Sequence, residues 1–317
     1  MYNNDKNEHY GIINETLKLF VSSEAEILKV EEQAIAKGFS AEDIVRHKII
    51  IMDNKEEKVI TFITKRSTLI ERRVLSRLYK QSANVPFNFS YNYESDEPST
   101  IYMQDIDFDT DYSKLNIEKI LRSEYKLLAH IHSKNYGLKD DLAWLPVADR
   151  VYIIKMLDER WKPFWDKALE NEQFLETFAA YIPEIKAVAA LIIDDMEIVI
   201  NDESSHTLIH TDMHPGNVLV GSNDDLYFID WEEAHYGSFY FDIPLRFNTY
   251  EKAEKYRQEL VLQGIEIQQN YFAERYKVAS RYIGLRYMAW TLGSWENNHH
   301  SLESLQSYIN MIVGKDI

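Results

Sequence analysis

Residues 210–220 read HTDMHPGNVLV and residues 226–232 read LYFIDWE, and these two stretches are the most informative in the chain. The first places Asp212 five residues before Asn217 in a loop broken by proline and glycine. The second ends a short apolar strand at Asp230, eighteen residues after Asp212. Phosphoryl transfer to a hydroxyl needs a carboxylate that orients the nucleophile and oxygen ligands for the magnesium ions on the phosphates. The spacing therefore predicts Asp212 as the catalytic residue and Asn217 and Asp230 as ligands for Mg²⁺.

The loop resembles that of the aminoglycoside phosphotransferase family, which also includes choline kinases, macrolide kinases and other small-molecule kinases. The usual family loop reads His-Gly-Asp-Leu-His-Pro-Gly-Asn, and this chain departs from it by Thr211 for glycine and Met213 for leucine. Neither change removes a carboxylate or an amide. The resemblance implies a two-lobed, protein-kinase-like α+β fold, with a small antiparallel-sheet N-lobe and a larger, mainly helical C-lobe.

The apolar pattern along the chain agrees with that architecture. In the first third we predict a helix over 68–78 and strands over 26–31, 45–52 and 58–64, the last two joined by a polar turn. Beyond about residue 107 the pattern is helical over 117–132, 147–168, 174–188 and from 250 onward. With a hinge near 104–107, residues 1–104 would form a nucleotide-binding lobe and residues 105–317 a catalytic and substrate-binding lobe.

Two charged residues have the order of a kinase phosphate site. Lys65 ends the third strand of the predicted sheet, and Glu71 lies six positions later in the following helix. In kinases a lysine there holds the nucleotide phosphates and a helix glutamate holds the lysine. The resemblance implies these roles, although the spacing is shorter than expected for the family. Lys48 and Arg66 remain alternatives for the phosphate-binding residue.

Two further segments are candidates for nucleotide contacts. Gly38 and Ser40 occupy the place of the phosphate-covering loop, where small side chains let backbone amides approach phosphates. An ordinary surface turn is the alternative. Residues 101–106, IYMQDI, resemble the family's hinge, where the purine edge would bond to backbone groups near Gln104 and Ile106. Because such recognition uses the backbone, ATP and GTP both remain possible donors.

The resemblance also implies supporting roles around the catalytic loop. His210 would bond to the backbone near Asp230, and Asp242 would bond backbone amides of the loop. A stretch of aromatic residues follows Asp230, in the half of the chain where acceptor pockets of the family lie. These aromatic residues could belong either to the core or to the pocket: Tyr271, Tyr276, Tyr282, Tyr287, Trp290 and Trp295.

Composition narrows the choice of partners. The formal net charge of −17 argues against a nucleic-acid partner, because phosphate backbones recruit Lys and Arg. A negative surface could attract a cationic acceptor, although solubility is the simpler interpretation. The chain has no cysteine, which excludes cysteine-bound zinc and fits a cytoplasmic protein. We expect no membrane association, because no apolar run reaches the ~18–20 residues of a membrane span. The acids that could line a cationic pocket are Glu232, Glu233, Asp194, Asp195 and Glu197.

The predicted reaction is transfer of the γ-phosphate of ATP or GTP to a small-molecule hydroxyl. An aminoglycoside is the leading acceptor, and phosphorylation of such an antibiotic would confer resistance. Macrolides, choline-like amines and sugars are alternatives, because a fold and a catalytic loop do not specify a substrate. A non-catalytic nucleotide-binding protein is a further hypothesis. Another hypothesis is a zinc hydrolase, in which His210, Asp212 and His214 would be the metal ligands.

Overall fold

The computed structural model describes residues 11–15, 17–18, 22–35 and 44–315. Within them, the N-terminal part is dominated by one antiparallel sheet of five strands. These strands are β1 (Glu26–Ala34), β2 (Val45–Asp53), β3 (Glu56–Ser67), β4 (Asn88–Phe89) and β5 (Ser99–Gln104). Their order across the sheet is β1-β2-β3-β5-β4, so β3 lies in the centre. The strands predicted from the apolar pattern are therefore confirmed.

The hairpin of β2 and β3 sets the register of this sheet. Its two turn residues, Asn54 and Lys55, both have positive φ, 51° and 67°. Positive φ at both central positions gives the turn a twist that matches the flanking strands. The Lys58 ammonium lies 2.6 Å from the Asp53 carboxylate and closes the turn. In this register Lys65 near the end of β3 pairs with Ile101 of β5.

Helix α1 (Leu69–Lys80) follows the sheet directly. The Thr68 hydroxyl caps it by accepting a 3.2 Å hydrogen bond from the Glu71 N–H, which satisfies one of the free donors at a helix start. Its apolar face buries Val74, Leu75 and Leu78 completely. The cap therefore places Glu71 in the first turn, next to the end of β3.

The rest of the chain is mainly helical. The helices are α2 (Ile117–Asn135), α3 (Arg150–Met156), α4 (Lys162–Ala168), α5 (Glu172–Thr177), α6 (Ile182–Asp195), α7 (Glu197–Ile200), α8 (Ile243–Arg246), α9 (Tyr250–Leu262), α10 (Gln269–Leu292) and α11 (His299–Val313). A π-helical turn at Leu157–Trp161 joins α3 to α4. The single helix predicted over 174–188 is wrong, because the structure ends α5 at Thr177 and starts α6 at Ile182. Pro183 stands in the first turn of α6, where its missing N–H costs nothing.

Four short strands interrupt the helical part and carry the loops of interest. They form two antiparallel pairs. The strands are β6 (His206–Ile209), β7 (Val218–Val220), β8 (Leu226–Phe228) and β9 (His235–Ser238). β6 pairs with β9, and β7 pairs with β8. These two pairs hold residues 210–217 and 229–234 between them.

Direct contacts join the two parts of the molecule. The Arg77 guanidinium on α1 donates to the Asn135 side chain at the end of α2 over 2.7 Å. The Phe228 N–H of β8 donates to the Asn84 carbonyl over 3.0 Å. Together with the expected sheet and helices, these contacts confirm a two-lobed α+β architecture. None of the helices in the described part of the chain is long and apolar enough to cross a membrane.

Candidate active site

The catalytic loop begins where β6 ends, and Asp242 holds its first turn. One carboxylate oxygen of Asp242 accepts from the His210 N–H at 2.8 Å and the other from the Thr211 N–H at 2.7 Å. Asp242 also lies 3.1 Å from His132 Nε2, and both side chains are fully buried. The prediction that Asp242 bonds backbone amides of this loop is confirmed.

Thr211 stands where the family usually has glycine, and the structure shows why glycine suits the position. Its φ is +63°, a left-handed conformation that costs a non-glycine residue about 1–2 kcal/mol. Its hydroxyl donates to the Glu233 carbonyl over 2.7 Å. Its own carbonyl accepts from Arg286 at 2.9 Å and lies 3.0 Å from the Tyr287 hydroxyl. These bonds hold the threonine in the strained conformation.

His210 uses both ring nitrogens inside the protein. Nε2 lies 2.8 Å from the Ile229 carbonyl, and Nδ1 accepts a 3.2 Å hydrogen bond from the Asp212 N–H. The predicted bond to the backbone next to Asp230 is therefore present. With both nitrogens engaged, His210 has no lone pair left for a metal, and the zinc-site hypothesis loses one of its three ligands.

The Asp212 carboxylate is reachable from solvent, with 29% of the side chain exposed. Its Oδ1 accepts a 2.6 Å hydrogen bond from the Tyr287 hydroxyl. Its Oδ2 lies 3.8 Å from His214 Nε2. One oxygen is thus held by the protein interior, and the other lies on the side of the more exposed His214.

Asn217 and Asp230 are brought together by backbone bonds. The Ile229 N–H donates to the Asn217 carbonyl over 3.0 Å, and the Asn217 side-chain amide donates to the Asp212 carbonyl over 2.8 Å. This second bond leaves the amide oxygen as the atom that could ligate a cation. A carboxylate and an amide oxygen are the hard ligands that Mg²⁺ prefers, so the residues present fit that ion.

Lys65 connects the two lobes at this site. Its ammonium lies 2.8 Å from Glu71 Oε1 and 2.8 Å from Asp230 Oδ1. Burial lowers the pKa of Lys65, but the charges of Glu71 and Asp230 outweigh it and raise that pKa above its ordinary value. Burial raises the pKa of Asp230, and the Lys65 charge outweighs it, so the pKa of Asp230 is lowered. Lys65 and Asp230 are therefore both charged near neutral pH.

The two alternatives for this lysine lie elsewhere. Lys48 points to Glu31 of β1 at 3.6 Å, and Arg66 is exposed. Sequence spacing could not separate these residues from Lys65, because it does not say which face of the sheet meets Glu71.

The hinge residues connect β5 to the second lobe. The Gln104 N–H donates to the Phe87 carbonyl over 2.8 Å, and the Gln104 side-chain oxygen accepts a 3.4 Å bond from the Phe87 N–H. The Gln104 side chain thus ties β5 to the segment before β4. The Ile106 side chain is buried, and its carbonyl accepts a 3.5 Å bond from Thr110. Gly38 and Ser40 lie outside the described residues.

Sequence reasoning missed a bridge across the hinge. The Arg46 guanidinium on β2 makes two bonds of 2.7 and 2.9 Å to the Asp105 carboxylate. A third bond of 3.0 Å runs to Asp107. In the register of the sheet Arg46 pairs with Ile63, two residues before Lys65. Arg46 therefore lies on the same face of the sheet as Lys65.

A second missed cluster lies behind the catalytic loop. Arg286 on α10 is 1% exposed and bonds the Tyr152 hydroxyl at 2.9 Å and Glu233 at 3.2 Å. Glu233 also pairs with Arg160 of the π-helical turn. The signal for this cluster was an arginine inside the apolar run YIGLRYMAW at 282–290. A charge within such a run must find partners when it is buried.

The five acids proposed for a cationic pocket have different surroundings. Glu233 pairs with two arginines, as above, and Asp194 and Glu197 both pair with Arg150 at 2.8 and 2.6 Å. Burial, together with the charge of Asp230, raises the pKa of Glu232. Asp195 is partly exposed on α6. Three of the five acids therefore have a cationic partner within the protein.

Four of the six aromatic candidates for the acceptor pocket belong to the core. Tyr276, Tyr282, Tyr287 and Trp295 are buried, while Tyr271 and Trp290 are more than half exposed. Tyr308 of α11 faces the ring of Tyr287, with centroids 6.4 Å apart. Burial and the charge of Asp212 raise the pKa of Tyr308. The aromatic side of Asp212 is thus formed by α10 and α11.

Close packing of these two helices depends on one glycine. A Cβ added at Gly284 would lie 2.8 Å from the Tyr308 carbonyl oxygen and 2.8 Å from Ile312. Any larger residue there would push α11 away from α10. Gly284 therefore helps to place Tyr308 beside Tyr287.

In the protein-kinase-like fold, a lysine of the sheet lobe reaches an aspartate of the helical lobe, beside a loop that carries an Asp and an Asn. Lys65, Asp230 and the loop with Asp212 and Asn217 have this arrangement. The molecule thus has a protein-kinase-like fold. The model of the phosphotransferase enzyme family, APH, matches residues 51–259, and the chain belongs to this family. Its members are enzymes, and this chain is a small-molecule kinase of that family.

Solved structures agree with this fold. A spectinomycin phosphotransferase, APH(9)-Ia, solved with ADP and spectinomycin, has a TM-score of 0.56 at 16% identity, over 94% of this chain and 93% of that chain. The choline kinase LicA from Streptococcus pneumoniae has a TM-score of 0.53 at 16% identity, over 97% and 99%. An ethanolamine kinase from Plasmodium vivax has a TM-score of 0.51 at 12% identity, over 97% and 90%. A comparison with curated protein sequences found no match.

Proposed function

We propose that this protein transfers the γ-phosphate of ATP or GTP to a hydroxyl of a small molecule, with Asp212 as the catalytic residue. The observation that carries the proposal is the convergence of Asp212, Asn217, Asp230 and the Lys65–Glu71 pair at one place between the lobes. Residues 1–104 would bind the nucleotide, and residues 105–317 would supply the catalytic loop and the acceptor site.

In the proposed reaction a bond forms between the acceptor oxygen and the γ-phosphorus, and the bond from that phosphorus to the β-phosphate oxygen breaks. The nucleoside diphosphate leaves, and the hydroxyl proton passes to Asp212. Asp212 would first accept the hydroxyl as a hydrogen-bond donor and so point its oxygen at the phosphorus. Only an exposed carboxylate oxygen can do this, which fits the side of Asp212 that faces His214.

Lys65 would hold the α- and β-phosphates while Glu71 keeps the lysine in place. Asn217 and Asp230 would hold Mg²⁺, which neutralises charge on the phosphates when it is bound. Gly38 and Ser40 would lie over the phosphates, and backbone groups at Gln104 and Ile106 would bond the purine. The roles of these residues are part of the proposal.

For the acceptor we propose a cationic, aminoglycoside-type molecule. The support is the net charge of −17 and the exposed carboxylate of Asp212, because a negative site attracts a cation and raises its local concentration. Since Glu233, Asp194 and Glu197 are paired with arginines, the local attraction would come from Asp212, with Glu232 and Asp195 as the remaining candidate acids. We also propose a cytoplasmic location for the cysteine-free chain.

The test is diphosphate release by the purified protein with Mg²⁺ and either ATP or GTP. Aminoglycosides, macrolides, choline and sugar alcohols would be the acceptors, and mass spectrometry would identify the phosphorylated product. We expect one acceptor class to stimulate release, with loss of activity in Asp212→Asn and on chelation of Mg²⁺. Stimulation by a neutral acceptor alone would contradict the cationic class. Nucleotide binding without transfer to any acceptor would favour a binding protein, and no nucleotide binding would contradict the kinase proposal.

A further inference from the structure

We propose that Tyr287 is a positioning residue for Asp212. The Tyr287 hydroxyl holds one oxygen of the Asp212 carboxylate, so that the other oxygen faces the acceptor. This inference rests on the proposed function, because it assigns to Tyr287 an effect on the residue that orients the acceptor hydroxyl. Tyr287 itself would touch neither the nucleotide nor the transferred phosphoryl group.

The geometry of the contact supports this role. The Tyr287 hydroxyl lies 2.6 Å from Asp212 Oδ1 and 3.0 Å from the Thr211 carbonyl. A phenol has one proton to donate, and the shorter contact to a charged oxygen is in the range of a charge-assisted bond. The side chain is 4% exposed. Water therefore competes little for this donor.

The protonation state of the phenol agrees with donation. Burial raises the pKa of Tyr287 well above its ordinary value, the Arg286 charge opposes this shift, and the Asp212 charge adds to it. The hydroxyl therefore keeps its proton at the pH values where the enzyme would work. Tyr287 can act as a fixed donor and not as a proton carrier.

Fixing one oxygen of a carboxylate fixes its plane. Asp212 Oδ2 is then the oxygen left to accept from a substrate hydroxyl, and it lies on the side of His214. A base must lie within hydrogen-bonding distance of the proton that it takes. A displacement of about 1 Å at a reacting centre can cost about 100-fold in rate. The Tyr287 contact thus controls the position of Asp212 Oδ2 relative to the acceptor hydroxyl, on which the reaction rate depends strongly.

Helix α10 holds the backbone of the loop as well as this side chain. Arg286, the residue before Tyr287, donates to the Thr211 carbonyl over 2.9 Å. The two neighbours on α10 therefore contact successive residues of the catalytic loop. A buried tyrosine with a purely structural role exists on the same helix for comparison, because the Tyr276 hydroxyl donates to the Phe247 carbonyl over 2.6 Å.

The first experiment compares Tyr287→Phe with Tyr276→Phe. The assay is MgATP and MgGTP turnover with the panel acceptor that gives the highest rate, and with water as acceptor. We expect Tyr287→Phe to lower kcat about 10–100-fold, with KM for both substrates within about threefold of the wild type. Tyr276→Phe removes a bond of the same length, so it should lower the Tm by a similar amount and leave kcat unchanged.

A double-mutant cycle separates positioning from general damage. If Tyr287 acts through Asp212, adding Tyr287→Phe to Asp212→Asn should lower the residual rate no further. An equal loss in both backgrounds, or unchanged kcat in Tyr287→Phe, would overturn the inference while the kinase proposal stands. Absence of phosphoryl transfer by the wild type in every assay would contradict the proposed function, and the inference with it.

Discussion

The two sides of the candidate site are held together in different ways. On the nucleotide side, Lys65 joins Glu71 and Asp230 across the lobes by ionic contacts of 2.8 Å, and the Asp230 side chain is 37% exposed. On the acceptor side, Asp212 is held within one lobe by Tyr287, next to the fully buried Arg286. The first is an ion-pair cluster between the lobes whose Asp230 end is open to solvent, and the second is a hydrogen-bond network within one lobe whose donors, Tyr287 and Arg286, are buried.

The two kinds of contact suit the two sides of the site to different tasks. Ion pairs with an exposed partner contribute little to stability and rearrange easily, so the oxygen that Asp230 now offers to Lys65 can be offered to a cation. Buried networks are costly to break, because each unpaired member stays in a low dielectric. The nucleotide side is thus suited to exchange partners with ligands, and the acceptor side to keep a fixed geometry.

The largest expected effect is on the acceptor side. Asp212→Asn should lower kcat about 10²–10⁴-fold, the usual contribution of a general base. Nucleotide affinity should change little, since the Lys65 contacts are intact. The measurement is kcat and nucleotide Kd for this variant and for the exposed Asp225→Asn, which should behave as wild type. Equal losses in the two variants would contradict a catalytic role for Asp212.

Breaking the buried network should cost stability. Arg286→Met removes the donor to Thr211, Tyr152 and Glu233, and we expect the free energy of unfolding to fall by about 1.5–3 kcal/mol, the contribution of hydrogen bonds to a charged group. Chemical denaturation measures it. The control is Arg150→Met, which removes an exposed arginine with two acidic partners and should cost at most about 1 kcal/mol. Similar losses for both arginines would contradict the expected difference in stability between the buried network of Arg286 and the exposed pairs of Arg150.

On the nucleotide side, substitution of Lys65 should mainly weaken nucleotide binding. Lys65→Met removes a charge-assisted contact of about 1.5–3 kcal/mol, so nucleotide affinity should fall about 10–100-fold. The matched control is Lys48→Met, on the neighbouring strand. Calorimetric titration with MgATP and MgGTP measures both variants. A loss of affinity in Lys48→Met and not in Lys65→Met would reverse the assignment of the phosphate-binding lysine.

The smallest effect concerns the strained backbone of the catalytic loop. Thr211→Val keeps the positive φ and loses the hydroxyl bond to Glu233, so the free energy of unfolding should fall by about 1 kcal/mol. Thr211→Gly loses the same bond but relieves about 1–2 kcal/mol of strain. Its stability should therefore lie above that of Thr211→Val, and urea unfolding of the pair tests this order. The opposite order would show that strain is not the dominant factor at this position.

Much of the fold could be predicted from local patterns. The β2–β3 hairpin, helix α1 and the paired loops at 210–217 and 229–234 follow from strand alternation, capping and turn residues, which act over a few positions. A continuous helix over 174–188 is incompatible with Pro183, which marks the start of α6; residues 178–182 contain no glycine that would also mark the break. The helices behind the catalytic loop could be predicted as helices, but not which face of each would meet that loop.

The local sequence is enough to predict the chemical groups of the site: Asp212, Asn217 and Asp230 at a set spacing, with Lys65 and Glu71 in the expected order. The packing of the two lobes is what brings Lys65, and not Lys48 or Arg66, to Glu71 and Asp230. The tertiary structure alone places Tyr287 on Asp212 from 75 residues away and Arg286 on Thr211 from the same distance. The reason is physical, since spacing controls contacts within a turn or a strand pair. Contacts between distant segments depend on how the buried faces of whole helices pack.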